Sequence, residues 1–229
     1  ALEAQAWPLA RRLISAHAQT LVAQGRRATL ISRCAALPPD QLDGWLCYWL
    51  GVATATDDAT AESWFARAWA LFSETDDSRG LCLTAAYAVL SKADSWRTHE
   101  GLSVWTTRAI ELLDHDVAGL AAGERLLTWT GMLRAVDFAA TYTSDTAAVK
   151  LLTRRLVQKL ERPEDSDTAT LRLLASQALI EHAGATGQQD LFERAVDGVT
   201  ADLRDDGASP WALGLWLVAF GAISARYFA

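Results

Sequence analysis

The sequence predicts an all-α protein, built as an α-solenoid in which helix pairs stack side by side. Apolar residues recur at spacings of three and four along most of the chain, which is the period of an amphipathic helix. No stretch alternates between apolar and polar residues for long enough to predict a sheet. The predicted helices also alternate between uncharged segments and segments with one charged face, an arrangement typical of two-layer solenoids.

The composition is that of a folded chain with a sizeable core. Of its 229 residues, 51% are hydrophobic and only 21% are charged, which excludes wholesale disorder. The formal net charge of −7 argues against a nucleic-acid-binding surface and against a basic membrane-binding patch. We therefore expect no direct nucleic-acid contact and no membrane contact from this segment.

Proline and glycine positions divide the chain into eleven predicted helices. Their expected spans are 9–24, 26–37, 40–55, 58–74, 79–93, 101–114, 121–141, 145–161, 167–183, 188–204 and 210–225. Tight turns inside four of the pairs are expected at Gly25-Arg26, Asp57-Asp58, Ser144-Asp145 and Gly187-Gln188. The last helix begins with Ser209 as N-cap and Pro210 as the first helical residue. Short linkers force neighbouring helices to lie antiparallel.

Charge is distributed unevenly over these helices. The segments 45–56, 81–91 and 211–225 carry no charge, whereas most of the helices between them have one charged face. An uncharged helix must be covered on most sides, and a helix with one charged face needs cover on one side only. Stacked helix pairs meet both demands. A closed bundle of the same helices remains the alternative.

A small side chain recurs at one position of successive helix pairs. It is found at Cys34, Ala68, Ala109, Thr153 and Ala195. The intervals are 34, 41, 44 and 42 residues, which is irregular but within the range of helical repeats. Small residues there would let helices approach closely while an aromatic side chain fills the gap between pairs.

The run from residue 21 to residue 83 carries a motif pattern of its own. It contains Gly25-Arg26, Leu37-Pro38, a Tyr-Trp-Leu-Gly helix at 48–51, an Ala-x3-Phe-x2-Ala helix at 61–68, and Asp77-x-x-Gly80-Leu81. This pattern resembles the degenerate tetratricopeptide repeats of bacterial MalT-like and LuxR-type ATP-dependent transcriptional regulators. Beyond Trp96 only the rhythm of helix pairs continues.

The resemblance implies a fold and a role. It implies a right-handed superhelix of about five tetratricopeptide-like helix pairs plus a terminal helix. In such regulators the helical repeats follow a nucleotide-binding module, bind an inducer or partner, and help control self-association. Since tetratricopeptide motifs are loose, the fold carries over better than the function.

The ends and the cysteines bear on the context of the chain. It starts at Ala1 and its only methionine is Met132, so we expect a single repeat domain spanning 1–229 that is a fragment of a larger protein.

Cys34, Cys47 and Cys82 form no paired motif and are expected to be buried and reduced, consistent with a cytoplasmic location. The uncharged stretch 207–225 is interpreted as a buried helix rather than a membrane span.

Catalytic and cofactor motifs are missing from the sequence. None of the three lysines follows a glycine, so there is no phosphate-binding loop, and no histidine pair has the spacing of a zinc protease. Gly101-Leu-Ser103 begins like a nucleophile elbow, but Trp105 stands where a glycine is needed. The sequence therefore predicts no enzymatic activity, no catalytic residue, no cofactor and no metal site.

Five residues are candidates for partner or ligand binding. Three of the ten tryptophans, Trp45, Trp49 and Trp129, lie on first helices of pairs and could line a concave groove. The alternative is that they fill gaps between helix pairs. Arg134 and Asp137 are the only charges between 126 and 143 and share one helix face. They form either an internal ion pair holding this helix to its neighbour, or a polar anchor in which Arg134 binds a carboxylate or phosphate.

Two functions follow from these observations. The first is a protein–protein interaction or ligand-sensing module of a bacterial signalling or transcription regulator, whose partner is a protein, a peptide or a small-molecule effector. The second is a structural oligomerisation arm that self-associates through the apolar C-terminal helix. The basic cluster Lys150, Arg154, Arg155 and Lys159 is interpreted as a solvated outer face.

Overall fold

The computed structural model describes a helical chain. The described residues are 2–93, 101–113, 117, 119–139, 146–164, 168–200, 202–204 and 209–227. Within these ranges all regular structure is helical and no strand occurs, which confirms the all-α prediction. The α-helices are α1 (Leu2–Ala23), α2 (Arg27–Ala35), α3 (Gly44–Ala53), α4 (Asp58–Glu74), α5 (Ser78–Ala93), α6 (Leu102–Glu111), α7 (Ala122–Phe138), α8 (Ala147–Glu161), α9 (Ala169–Thr186), α10 (Gln189–Asp197) and α11 (Pro210–Tyr227).

Three predicted spans differ from the observed helices by four residues or more at one end. The first helix starts at Leu2 and runs through Pro8, a residue that has no amide hydrogen to donate to the carbonyl four residues earlier. The span 40–55 shortens to α3, because a 3₁₀ turn occupies Pro39–Gln41 and Asp43 then caps the helix by accepting the Leu46 amide at 2.9 Å. The span 188–204 divides into α10 and a 3₁₀ turn at Asp202–Arg204.

The predicted turns can be compared with the structure at three of their four positions. Gly25 and Gly187 have φ values of 70° and 74°, a left-handed conformation that glycine adopts without steric cost. Asp57 caps α4 by accepting the Thr60 amide at 3.4 Å. The expected turn at Ser144-Asp145 lies outside the described residues.

The chain divides into two compact units, Ala1–Gly101 and Leu102–Ala229, and each is described by itself. In the first unit, α1, α2 and α3 enclose one apolar cluster. Its members are Ile14, Ala18, Leu21, Leu30, Cys34, Leu37, Leu46, Leu50 and Ala53, with Trp49 and Trp64 packed against it. This burial of apolar surface holds the three helices together.

Two phenylalanines of α4 set the distance between α3, α4 and α5. A Cβ atom on Gly51 would lie 2.5 Å from the ring of Phe65, and one on Gly44 would lie 2.7 Å from the ring of Phe72. The Phe72 ring also fills the space beside Gly80 at the start of α5. Glycine at these positions lets the aromatic rings lie directly on the neighbouring backbones.

In the second unit, α7 and α9 form the centre. All residues of α7 from Leu126 to Val136 are buried, and α7 packs against α6, α8 and α9. Helix α9 packs in addition against α10 and α11. Ser176 of α9 donates to the Ala195 carbonyl at 2.6 Å and accepts the indole N–H of Trp216 at 2.9 Å, so one hydroxyl joins α9, α10 and α11.

The small residues of the suggested repeat all fall in even-numbered helices. Cys34, Ala68, Ala109 and Ala195 are fully buried in α2, α4, α6 and α10, whereas Thr153 of α8 is half-buried.

Crossing a membrane requires a helix that is both long and apolar. Over the part of the chain described here, no helix combines the length and apolar character that crossing a bilayer requires.

Candidate functional site

The Arg134 side chain is committed to a partner inside the second unit. It is 5% exposed and forms an ion pair with Glu181 of α9. Its guanidinium carbon also lies 5.2 Å from the centre of the Phe138 ring. Gln177 donates a hydrogen bond of 3.1 Å to the other oxygen of Glu181, which fixes that carboxylate against α9.

Asp137 also faces α9. Its Oδ1 atom lies 2.6 Å from Nδ1 of His182, and the His182 ring is buried. Arg134 and Asp137 are therefore not paired with each other, although both lie on one face of α7. Each is joined to its own residue of the neighbouring helix, so the observed contacts are internal and hold α7 against α9.

Trp45 and Trp49 lie in the first unit, and both are half-buried on α3. The Trp45 ring packs edge-on against Phe72 with centroids 5.0 Å apart, and the Arg79 guanidinium carbon lies 4.4 Å from the Trp45 ring centre. Trp49 packs edge-on against Tyr48 at 5.0 Å. Both rings therefore fill space between helices and keep only part of their surface exposed.

Trp129 lies in the second unit and lines a small apolar cleft, which we term the α7–α8 cleft. The ring is 8% exposed, and the Arg155 guanidinium carbon lies 5.4 Å from its centre. The cleft has a volume of about 50 Å³ and is lined by Leu113, Val117, Trp129, Met132, Ala148, Leu151, Leu152 and Arg155. Among the described residues, no group accepts a hydrogen bond from the Trp129 indole nitrogen.

The rim of the α7–α8 cleft combines an exposed apolar side chain with a cation. Leu151 is 42% exposed although it lines the cleft. Arg155 is also exposed, and no carboxylate of the described residues pairs with it. Among the residues that the structure describes, no acidic side chain lines the cleft. The arrangement can bury an apolar group and place a negative charge beside it.

No group of three or more histidine, cysteine or acidic side chains is placed to hold a metal ion in the ranges that the structure covers. Burial raises the pKa of Cys34, Cys47 and Cys82 to about 11 in each case. Thiols with such a pKa are protonated near neutral pH and are poor nucleophiles.

The sequence pointed to Trp129 but missed the two rim residues. Leu151 and Arg155 lie on the side of α8 next to its apolar stripe of Val149, Leu152 and Leu156. Their spacing of four residues places them on one helix face. The sequence offers one indication of this site, which is an isolated leucine on a charged helix face. The packing of α7 against that face depends on tertiary structure, so the sequence alone does not predict it.

Comparison of the chain with protein-family models, with curated proteins and with solved structures gives no match in any of the three.

Proposed function

We propose that this chain is a non-enzymatic helical-repeat module of a bacterial cytoplasmic signalling or transcription regulator, and that it binds a protein partner or an effector. In this proposal the helix pairs form a right-handed tetratricopeptide-like solenoid. The single observation that carries the proposal is the α7–α8 cleft, in which an apolar floor, the exposed Leu151 and the cation of Arg155 adjoin one another. Such a combination is typical of a recognition surface.

The proposal assigns the five sequence candidates unequal roles. Trp129 forms part of the binding surface because it lines the cleft. Arg134 and Asp137 support that surface from behind, since their partners are Glu181 and His182. Trp45 and Trp49 act in packing of the first unit. Substituting Arg134 or Trp129 would therefore perturb folding as well as binding, and exposed residues are better probes.

The test compares the wild-type chain with two leucine variants as baits in extract of the source bacterium. Leu151→Asp places a charge at the cleft, and Leu9→Asp is the matched control because Leu9 is 53% exposed on α1. We expect one partner retained by the wild type and by Leu9→Asp to be lost with Leu151→Asp, while circular dichroism stays unchanged. A partner profile that is identical for all three folded proteins would contradict the proposal.

A second function is favoured by the outer face of α11. Leu217 and Val218 are 53% and 57% exposed, and a Cβ atom added at Gly214 or Gly221 would meet no atom within 4 Å. This uncharged face could pack closely against another copy of the chain. Light scattering tests this arm directly: a concentration-dependent dimer that Leu217→Asp abolishes would support it, and a monomer at every concentration would exclude it.

A further inference from the structure

We propose that the occupant of the α7–α8 cleft is an acidic peptide segment of a protein partner, anchored by one apolar side chain. This inference rests on the proposed function and narrows it from a partner or effector in general to one chemical class. Its parts are the size of the cleft, the polarity of its lining, and the charge beside it.

The size of the cleft favours a side chain over a small-molecule effector. Sites for drug-sized ligands typically have volumes of about 300–1,000 Å³, whereas this cleft has about 50 Å³. That volume holds a few water molecules and so suits a single small aliphatic group. A ligand that is held by one such group needs further contacts outside the cleft, as a peptide lying across the rim would make.

The lining determines the nature of the anchor. Leu113, Met132 and Leu152 contribute apolar surface to the floor, and Leu151 extends that surface to the rim. An aliphatic anchor would remove this surface from water, which is favourable in proportion to the area covered. A polar anchor would lose its hydration without finding charged or hydroxyl-bearing partners in the floor.

The charge beside the cleft determines what flanks the anchor. Leu151, Arg154 and Arg155 lie at relative positions 0, 3 and 4 of α8 and therefore share one face. Both arginines are exposed, and neither pairs with a carboxylate of the described residues. This basic face belongs to a chain of net charge −7. Carboxylates on the peptide would complement Arg154 and Arg155, whereas basic side chains on the peptide would be repelled by these two arginines, although the net charge of the chain is negative.

The experiment uses the full chain and a library of random 12-residue peptides displayed on phage. Enriched sequences are synthesised with a fluorescein label, and their affinities are measured by fluorescence anisotropy. We expect the enriched sequences to share one apolar residue flanked by Asp or Glu. Arg155→Glu and Leu151→Asp should each weaken binding by about tenfold or more, and Leu9→Asp, the matched exposed leucine of α1, should leave it unchanged.

Two further measurements separate the contribution of charge to peptide binding from the contribution of the apolar anchor. Replacing the flanking Asp or Glu of the peptide by Lys should weaken binding about tenfold, and raising NaCl from 50 to 500 mM should weaken the wild-type complex but not the Arg155→Glu complex. Substituting the apolar anchor by Asn should abolish binding at both salt concentrations. If Leu151→Asp does not fold, the Arg155→Glu variant and the altered peptides still test binding at the cleft.

Several outcomes would overturn the inference. An enriched set that is basic, a set whose affinity is unaffected by Leu151→Asp and Arg155→Glu, or a library that yields no binder would each do so. If the extract experiment still shows a partner lost with Leu151→Asp, the proposed function stands and only the acidic-peptide class is wrong. If that partner is also missing, both are wrong.

Discussion

The ion pair between Arg134 of α7 and Glu181 of α9 illustrates how single side chains hold the second unit together. Arg134 is almost completely buried, and Glu181 of α9 is its counter-ion. Removing water from a charge is expensive, so such a pair contributes less to stability than its proximity suggests. Removing only one member takes a counter-charge away from a group that stays in place, and that change is the more destabilising one.

This asymmetry can be measured with a single and a double variant. Glu181→Ala should lower the free energy of unfolding by about 2 kcal/mol or more, because the buried Arg134 charge loses the Glu181 carboxylate. Arg134→Met combined with Glu181→Ala should recover a large part of that loss. Urea unfolding of both proteins provides the comparison. A double variant less stable than the single one would contradict the assignment of the pair as internal.

The three cysteines make a second prediction at this scale. Burial raises the pKa of Cys34, Cys47 and Cys82 to about 11, so at pH 8 only about one thiol in a thousand is a thiolate. The native chain should therefore react with dithionitrobenzoate far more slowly than a model thiol, and all three groups should react at once in 6 M guanidinium. Rapid reaction of any one of them in the native protein would show that it is accessible.

At the scale of helices, the close approach of α3 and α4 depends on Gly51. A methyl group there would lie 2.5 Å from the Phe65 ring, and overpacking of this kind costs about 1–3 kcal/mol. Gly51→Ala should destabilise the chain by that amount. Combining it with Phe65→Leu should restore part of the loss, which urea unfolding would reveal as a non-additive pair.

Gly214 of α11 provides the matched control for Gly51. It is also a glycine inside a helix, but a Cβ atom there would meet nothing within 4 Å. Gly214→Ala should therefore stabilise the helix by up to about 1 kcal/mol. Equal effects of the two substitutions would mean that the Phe65 contact does not set the spacing of α3 and α4.

The existence and order of the helices could be predicted from the sequence, because periodicity and turn residues are local properties. The predicted span 58–74 coincides with α4. Two helix starts were predicted wrongly. Proline disfavours a helix interior, yet α1 continues through Pro8. The start of α3 was predicted at residue 40, whereas its N-cap is Asp43.

The candidate site was predicted less well than the helices. Trp129 was identified because large aromatic residues concentrate at binding surfaces. The partners of Arg134 and Asp137 lie more than forty residues away on α9, and no local pattern specifies such long-range pairs. Leu151 was not identified because its role depends on α7 lying against the same part of α8.

At the scale of the whole molecule, the division into Ala1–Gly101 and Leu102–Ala229 predicts two separable folding units. Each contains its own apolar core, so each has what independent folding requires. Fragments 1–101 and 102–229 should both show helical circular dichroism and cooperative urea unfolding. A fragment that lacks a cooperative transition would mean that it depends on the rest of the chain for stability.

Within the second unit, α7 connects the α7–α8 cleft with the two charged contacts to α9. Trp129 contributes to the cleft on α8, while Arg134 and Asp137 are tied to α9. A displacement of α7 that altered the cleft would have to break both ties. The cleft is therefore preorganised. The conformational entropy of the side chains that line it is lost during folding and not when a ligand binds. Association should then proceed as a rigid-body fit with little change in the backbone of the second unit.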